Sequence, residues 1–199
     1  GDNLGQSLAK RYLNEPSYNL NEAQIALTKR GKEIQSVGTE AFLNTMIDAI
    51  NIENNDYIHI IGFKARNMIQ YGIAWNTFGV RMINSAHSLV QNCVCDSNGI
   101  GIFTGYCDYL TLDRNVCSYN KYQHGIYHSN NGDYATVTYN VCAYNAAAGI
   151  QFNPDVSMQD YPNDGLSSGS VISYNISHDN HIGIYTQGLV DCIISNNLI

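Results

Sequence analysis

Charge is what this sequence has least of. Only 14% of its 199 residues are charged, against roughly 25% in an average soluble domain. Lys and Arg number 10 and Asp and Glu 17, a net charge of −7. Non-specific binding of nucleic acid needs a basic face to neutralise phosphates, so nucleic acid is excluded as a general partner. No apolar run approaches the ~18–20 residues of a membrane span. The opening "GDNLGQSLAK" carries no signal-peptide pattern, so the expectation is an export signal that was removed or never existed. A zinc knuckle is missing too. "CVC" at 93–95 is too tight for a C-x2-C pair, and no second metal-type pair follows.

What is present is apolar and turn-rich. Hydrophobic residues make up 44%, enough for a sizeable core and unlike a disordered chain. A surface poor in Lys and Glu but rich in Asn, Ser and Tyr suits dense β-turns and uncharged or sugar-like partners. The sequence also repeats itself. Gly-Ile pairs occur in "GIGIF" (99–103), "HGIYH" (124–128), "AGIQF" (148–152) and "IGIYT" (182–186). Gly101, Gly125 and Gly149 are 24 residues apart and Gly183 follows after 34. "YGIAW" (71–75) reads as an earlier, degenerate copy.

Two asparagine columns repeat in step: Asn92, Asn115, Asn140, Asn175 and Asn197, then Asn98, Asn120, Asn145 and Asn180. The long steps fall in one unit, so a single insertion at 154–169, "PDVSMQDYPNDGLSSG", explains them. A period of this size fixes the architecture. Each unit of ~22–25 residues holds three short strands, as in 108–112, 116–118 and 125–128, which cannot bury a face alone. Stacked units can, with parallel strands ~4.8 Å apart. The expected fold is therefore an all-β parallel β-helix. Its inward columns are Ile102, Ile126, Ile150 and Ile184, with Leu112 and Val137 in another strand.

Cys95, Cys117 and Cys142 share one slot with Ser177, as small core side chains; a disulfide between stacked strands stays geometrically open. Residues 1–52 do not repeat. Asn19 and Glu22 open a helical pattern over 19–31, and Phe42, Met46 and Ile50 lie at helical spacing in 39–50. The segment 1–52 is expected to be a short helical N-terminal cap, and 53–199 the β-helix. The last coil, "VDCIISNNLI", stops partway and offers an edge for self-association.

The phrases "HGIYHSNNGD", "AGIQFNPDVSM" and "IISNNLI" resemble the secreted bacterial right-handed parallel β-helix repeat proteins of the pectate-lyase-like superfamily, over about 56–199. The resemblance implies right-handed coils, a secreted or cell-surface location and, for many members, lysis, hydrolysis or epimerisation of polysaccharides. The polygalacturonase motifs and the arginine and "WIDH" signatures of pectate lyases are absent, so the resemblance carries over a fold and not an active site.

In such proteins substrates commonly lie along the strand corresponding to the Gly-Ile strand. With the isoleucines inward, alternation turns Phe103, Tyr127, Gln151 and Tyr185 outward in a row suited to sugar rings. Lys121, His124, Tyr127 and Arg114 form the one compact set able to supply both a base and a partner for a uronate carboxylate. Asp155, Asp160 and Asp164 on the insertion are candidates for Ca²⁺, or two of them for acid and base in glycoside hydrolysis. Asp108 and Asp133 open matching strands as turn caps. Two functional classes follow: binding or cleavage of a polysaccharide or other glycan by a lyase- or hydrolase-like protein, and a non-catalytic filament subunit or adhesin stalk.

Overall fold

The computed structural model describes residues 47–69, 77–156 and 161–199. Every strand pair in it is parallel, and each strand pairs with its counterpart one coil away. The first sheet stacks Ile47–Glu53, Thr77–Ile83, Ile100–Gly105, Ile126–Ser129, Ala148–Asn153 and Ile182–Thr186. The second runs from His59–Ile61 through Thr111–Asp113 to Ile193–Ser195, and the third from Lys64–Arg66 through Val116–Ser118 to Ile176–His178. This is the β-helix that the period predicts. No helix among the described residues is long and apolar enough to cross a membrane.

The core is built in columns. Val80, Ile102, Ile126, Ile150 and Ile184 are in register, as are Val90, Leu112, Val137 and Ile172. All but Ile184 are fully buried, each worth ~1.5–3 kcal/mol of transfer free energy. Cys95, Cys117, Cys142 and Ser177 form the expected third column. All six cysteines are free thiols.

Stacked asparagines hold two of the corners. Asn140 Oδ1 accepts the backbone N–H and the side-chain amide of Asn115, at 2.9 and 3.0 Å. Its own amide donates to Leu112 O and Asn175 Oδ1. Asn120, Asn145 and Asn180 repeat the pattern. Each side chain bridges two coils and caps a backbone N–H that a bent strand cannot pair. One expected member is displaced: the slot above Asn115 belongs to Cys93, whose N–H donates to Asn115 Oδ1 at 3.0 Å. Asn92 sits one residue earlier, at a left-handed corner with φ 53°. Asp108 and Asp133 cap as expected, accepting the N–H of Asp133 and of Ser168.

Tyrosine has a role that the period did not reveal. Tyr57, Tyr109, Tyr134, Tyr119, Tyr144, Tyr139 and Tyr174 all have φ between 53° and 59°. An L-residue there costs roughly 1–2 kcal/mol. The conformation projects each ring outward once per coil, where it stacks on the next. Tyr57, His87, Tyr109 and Tyr134 form a pile with centroids 4.9, 4.7 and 4.8 Å apart. Tyr119 stacks on Tyr144 and Tyr139 on Tyr174. Such contacts contribute ~0.5–1.5 kcal/mol each and offset much of the strain.

Two expectations change at the start of the stack. The Gly-Ile column continues through "FGVRM", with Phe78 and Val80 paired to Ile100 and Ile102, so Gly79 and not the "YGIAW" glycine precedes Gly101. An added Cβ at Gly101 would lie 2.4 Å from Gly125 O and 2.9 Å from Asn120 Nδ2, which explains why this corner recurs as glycine. The first described strand, Ile47–Glu53, pairs with Thr77–Ile83, so residues 47–50 are strand and not the end of the helix expected over 39–50. Ile50 and Ile52 pack on the core at a two-residue period. The rest of the helical cap lies outside the described residues.

Candidate functional site

The outer face of the first sheet presents one side chain per coil. Arg81, Phe103, Tyr127, Gln151 and Tyr185 are Cα partners in sequence, so the row runs along the helix axis with a step of ~4.8 Å. Phe103 meets Tyr127 edge-on at 5.3 Å and Phe78 at 5.0 Å. Asn153 Nδ2 donates to the Tyr127 hydroxyl at 3.2 Å.

His124 lies beside this row, its ring 4.9 Å from Tyr127. Its Nδ1 accepts the Ala148 N–H at 3.0 Å, which leaves the proton of the neutral ring on Nε2. Burial pushes its pKa down to about 4. It is a neutral imidazole at pH 7. His128 is a structural counterpart inside the coil, bonded to Thr104 Oγ1 and Gly132 O, with its pKa also lowered by burial.

The remaining members of the predicted set are elsewhere. Arg114 occupies the corner between the second and third sheets, ion-paired to Asp113 and 5.0 Å over the Tyr139 ring. It does not join His124 and Tyr127. Lys121 lies at the corner leading into the first sheet, in a shallow groove of about 610 Å³ shared with Tyr119, Tyr144, Ala146 and Asp179.

Arg81 was not expected. Its guanidinium is buried and bonds Asn51 Oδ1 and Glu53 Oε1, both at 2.9 Å, while its Nε has no partner. Beside it, burial pushes the Asp48 carboxyl up to about 7, Arg81 lowering and Glu53 raising it. Asp48 Oδ1 is likewise unpartnered. The signal was the apolar-Gly-apolar triplet at 78–80, with an outward Arg81 next in line.

The insertion crosses the end of this sheet. Tyr161 donates its hydroxyl to Asn54 Oδ1 at 2.7 Å and packs on Tyr106, and Asn131 Nδ2 donates to Pro162 O at 3.5 Å. Of the three predicted metal ligands, Asp160 lies outside the described residues. Asp164 Oδ1 accepts the Leu166 N–H at 2.9 Å in a local turn. The Asp155 carbonyl receives Asn163 Nδ2.

The sequence matches the NosD family, described as a periplasmic copper-binding protein, over residues 17–199. No curated protein matches. Two solved structures of a periplasmic alginate epimerase, AlgG, are similar at 15% identity. The double-mutant form covers 77% of this chain and 43% of its own with a TM-score of 0.34; the other covers 74% and 40% with 0.28. The chain thus spans less than half the length of either.

The family description overturns the expectation of Ca²⁺, since it names copper. Copper requires thiolate, thioether or imidazole ligands that converge. All six cysteines and all six histidines lie among the described residues, where no three of His, Cys, Asp or Glu gather into a metal-holding group. Burial raises the thiols of Cys93, of Cys107 to about 12, and of Cys117. These protonated core thiols are poor ligands, and the His, Cys, Asp and Glu of the described residues do not assemble a site for a resident copper ion.

Proposed function

The chain belongs to the NosD family, and from that premise we propose that it is an exported, periplasmic β-helix protein that binds a polysaccharide along the outer face of its first sheet. One observation supports this reading above the others: Phe103, Tyr127, Gln151 and Tyr185 stand in register on a parallel sheet, Phe103 and Tyr127 half-buried, Tyr185 exposed and Gln151 buried, with Arg81 at one end. Aromatic rings and amides at a constant step suit the alternating apolar and hydroxyl faces of a sugar chain.

His124 and Tyr127 supply the polar chemistry at the centre of the row. A neutral imidazole with its proton on Nε2 donates to a sugar oxygen, and the Tyr127 hydroxyl donates beside it. Of the four residues first considered catalytic, these two share the face; Lys121 flanks it and Arg114 stands apart. With Nδ1 taken by the Ala148 N–H and the proton on Nε2, His124 offers a donor and no free base, so this pair binds and orients a sugar unit.

The test is a screen of uronate and neutral oligosaccharides by calorimetry, with absorbance at 235 nm and reducing-end assays for turnover. Binding is expected, and Phe103→Ala with Tyr185→Ala should weaken it at least tenfold, two aromatic contacts at ~0.5–1.5 kcal/mol each plus buried area. Wild-type affinity in that double variant, or no ligand across the screen, refutes the reading.

A further inference from the structure

The corner groove between the third and first sheets has features that neither the scaffold nor the sheet face uses. It follows the column of left-handed residues Ser97, Tyr119, Tyr144 and Asp179, one per coil. Two residues after each of the last three come Lys121, Ala146 and His181, each directly behind a column asparagine. Ala146 is therefore a gap one coil wide between two longer side chains, and the cavity opens there.

Its two ends differ in charge. Five cations occur among the described residues: Lys64, Arg66, Arg81, Arg114 and Lys121. The three arginines are ion-paired, to Asp96, Glu53 and Asp113. Neither lysine has an ion pair among the described residues, and Lys121 lines the groove. An uncompensated cation in a concavity is notable in a chain of net charge −7.

At the far end, Asp179 is held by its neighbour: His178 Nδ1 lies 2.7 Å from its Oδ2, and Tyr144 lines the groove beside it. Two coils separate Lys121 from Asp179, a span of ~10 Å. The Tyr119 and Tyr144 rings stack on each other, 4.9 Å apart, and both line the groove.

We propose that this groove is a second saccharide subsite that selects an acidic sugar residue, with its carboxylate on Lys121, a hydroxyl on Asp179 and its apolar face over Ala146. A neutral sugar leaves Lys121 unused, and a simple anion leaves Asp179 facing like charge. Only a unit bearing both a carboxylate and hydroxyls satisfies the two ends together. The inference rests on the polysaccharide reading but concerns a different surface.

Monosaccharides separate the two, because a single sugar is too short to read the five-coil row. The Ala146 methyl resonance is followed while glucuronate, glucose or inorganic phosphate is added. Glucuronate alone should shift it, and Lys121→Met should abolish the shift. With oligouronates, Lys121→Met should lower affinity about fivefold, the upper range for an exposed charge contact, and leave neutral oligosaccharides unaffected. Ala146→Tyr should block the groove without lowering the melting temperature, since Ala146 is exposed.

An equal shift with glucose or phosphate, or wild-type oligouronate affinity in both variants, overturns the subsite. If affinity also survives in those variants but falls in Phe103→Ala with Tyr185→Ala, the sheet face stands and the groove does not. If Ala146 responds to glucuronate while no oligosaccharide depends on the sheet face, the groove stands and the sheet-face reading fails.

Discussion

Replacing Asn140 by alanine should unfold the protein more readily than any surface change, and the structure says by how much. Asn140 is fully buried and its amide makes four bonds to two neighbouring coils. Two of the groups left behind keep other partners. The Asn115 side-chain amide still donates to Val90 O, and Asn175 Oδ1 still accepts the Asn140 N–H. The Asn115 N–H and the Leu112 carbonyl lose their contacts with Asn140. Leu112 O keeps the Thr138 N–H that the strand register gives it. The Asn115 N–H is the group left unpaired, and at about 1–3 kcal/mol for an unpaired buried group Asn140→Ala should cost that much. Asn197→Ala removes the same type of bond to Asn175 at a half-exposed position, where water can replace it, and should cost about 1 kcal/mol. Urea unfolding followed by circular dichroism gives both numbers, and hydrogen exchange at the Asn115 amide localises the loss. An Asn140→Ala variant within 1 kcal/mol of wild type, or equal costs at both positions, would refute the view that these amides hold the coils together.

Two further predictions concern protons and thiols. His124 has a folded pKa of about 4 against an ordinary 6.5, so between those values the unfolded chain binds a proton that the folded one refuses. Stability therefore falls as pH drops through that window, and His128 acts in the same direction. Asp48 has the opposite sign, because its folded pKa of about 7 lies above 3.8 and its contribution fades as pH rises toward and past 7. His124→Gln should reduce the acid-side loss and Asp48→Asn the alkaline-side loss, read from urea midpoints between pH 4 and 8; unchanged slopes would count against both assignments. For the thiols, five of the six are buried and Cys192 is half-buried. Ellman's reagent should find about one reactive thiol in the native protein and six after denaturation, and Cu(I) titration should leave that native count unchanged. Rapid native labelling of three or more would undo the argument against a copper site.

The fold was legible because its core is written once per coil. Isoleucine, cysteine and asparagine recur in columns, and each column constrains the others. The errors came where a slot tolerates more than one residue type. Cys93 takes an asparagine slot because a backbone N–H and a small buried side chain suffice there, so Asn92 looked like the better match. Arg81 escaped notice because its coil spells the column Phe-Gly-Val. The corner tyrosines carried no signal in the sequence, since left-handed corners ordinarily favour Gly or Asn; stacking at the coil step reverses that preference. The site was less legible than the scaffold. Lys121 and Arg114 are close in sequence to His124, yet each coil turns three corners within two dozen residues and places them on different sides.

One contact changes how the whole stack is expected to behave. Coils that touch only their neighbours form a linear array, in which one end can fray without informing the other. Tyr161, on the fifth coil's insertion, reaches Asn54 on the first, 107 residues away. That bond can form only when every coil between is in place, so it closes the array into a loop and makes fraying at the first coil felt at the fifth. The insertion then serves as a gauge of completion as well as a wall beside the sheet, and cutting it should broaden the unfolding transition more than it lowers the midpoint.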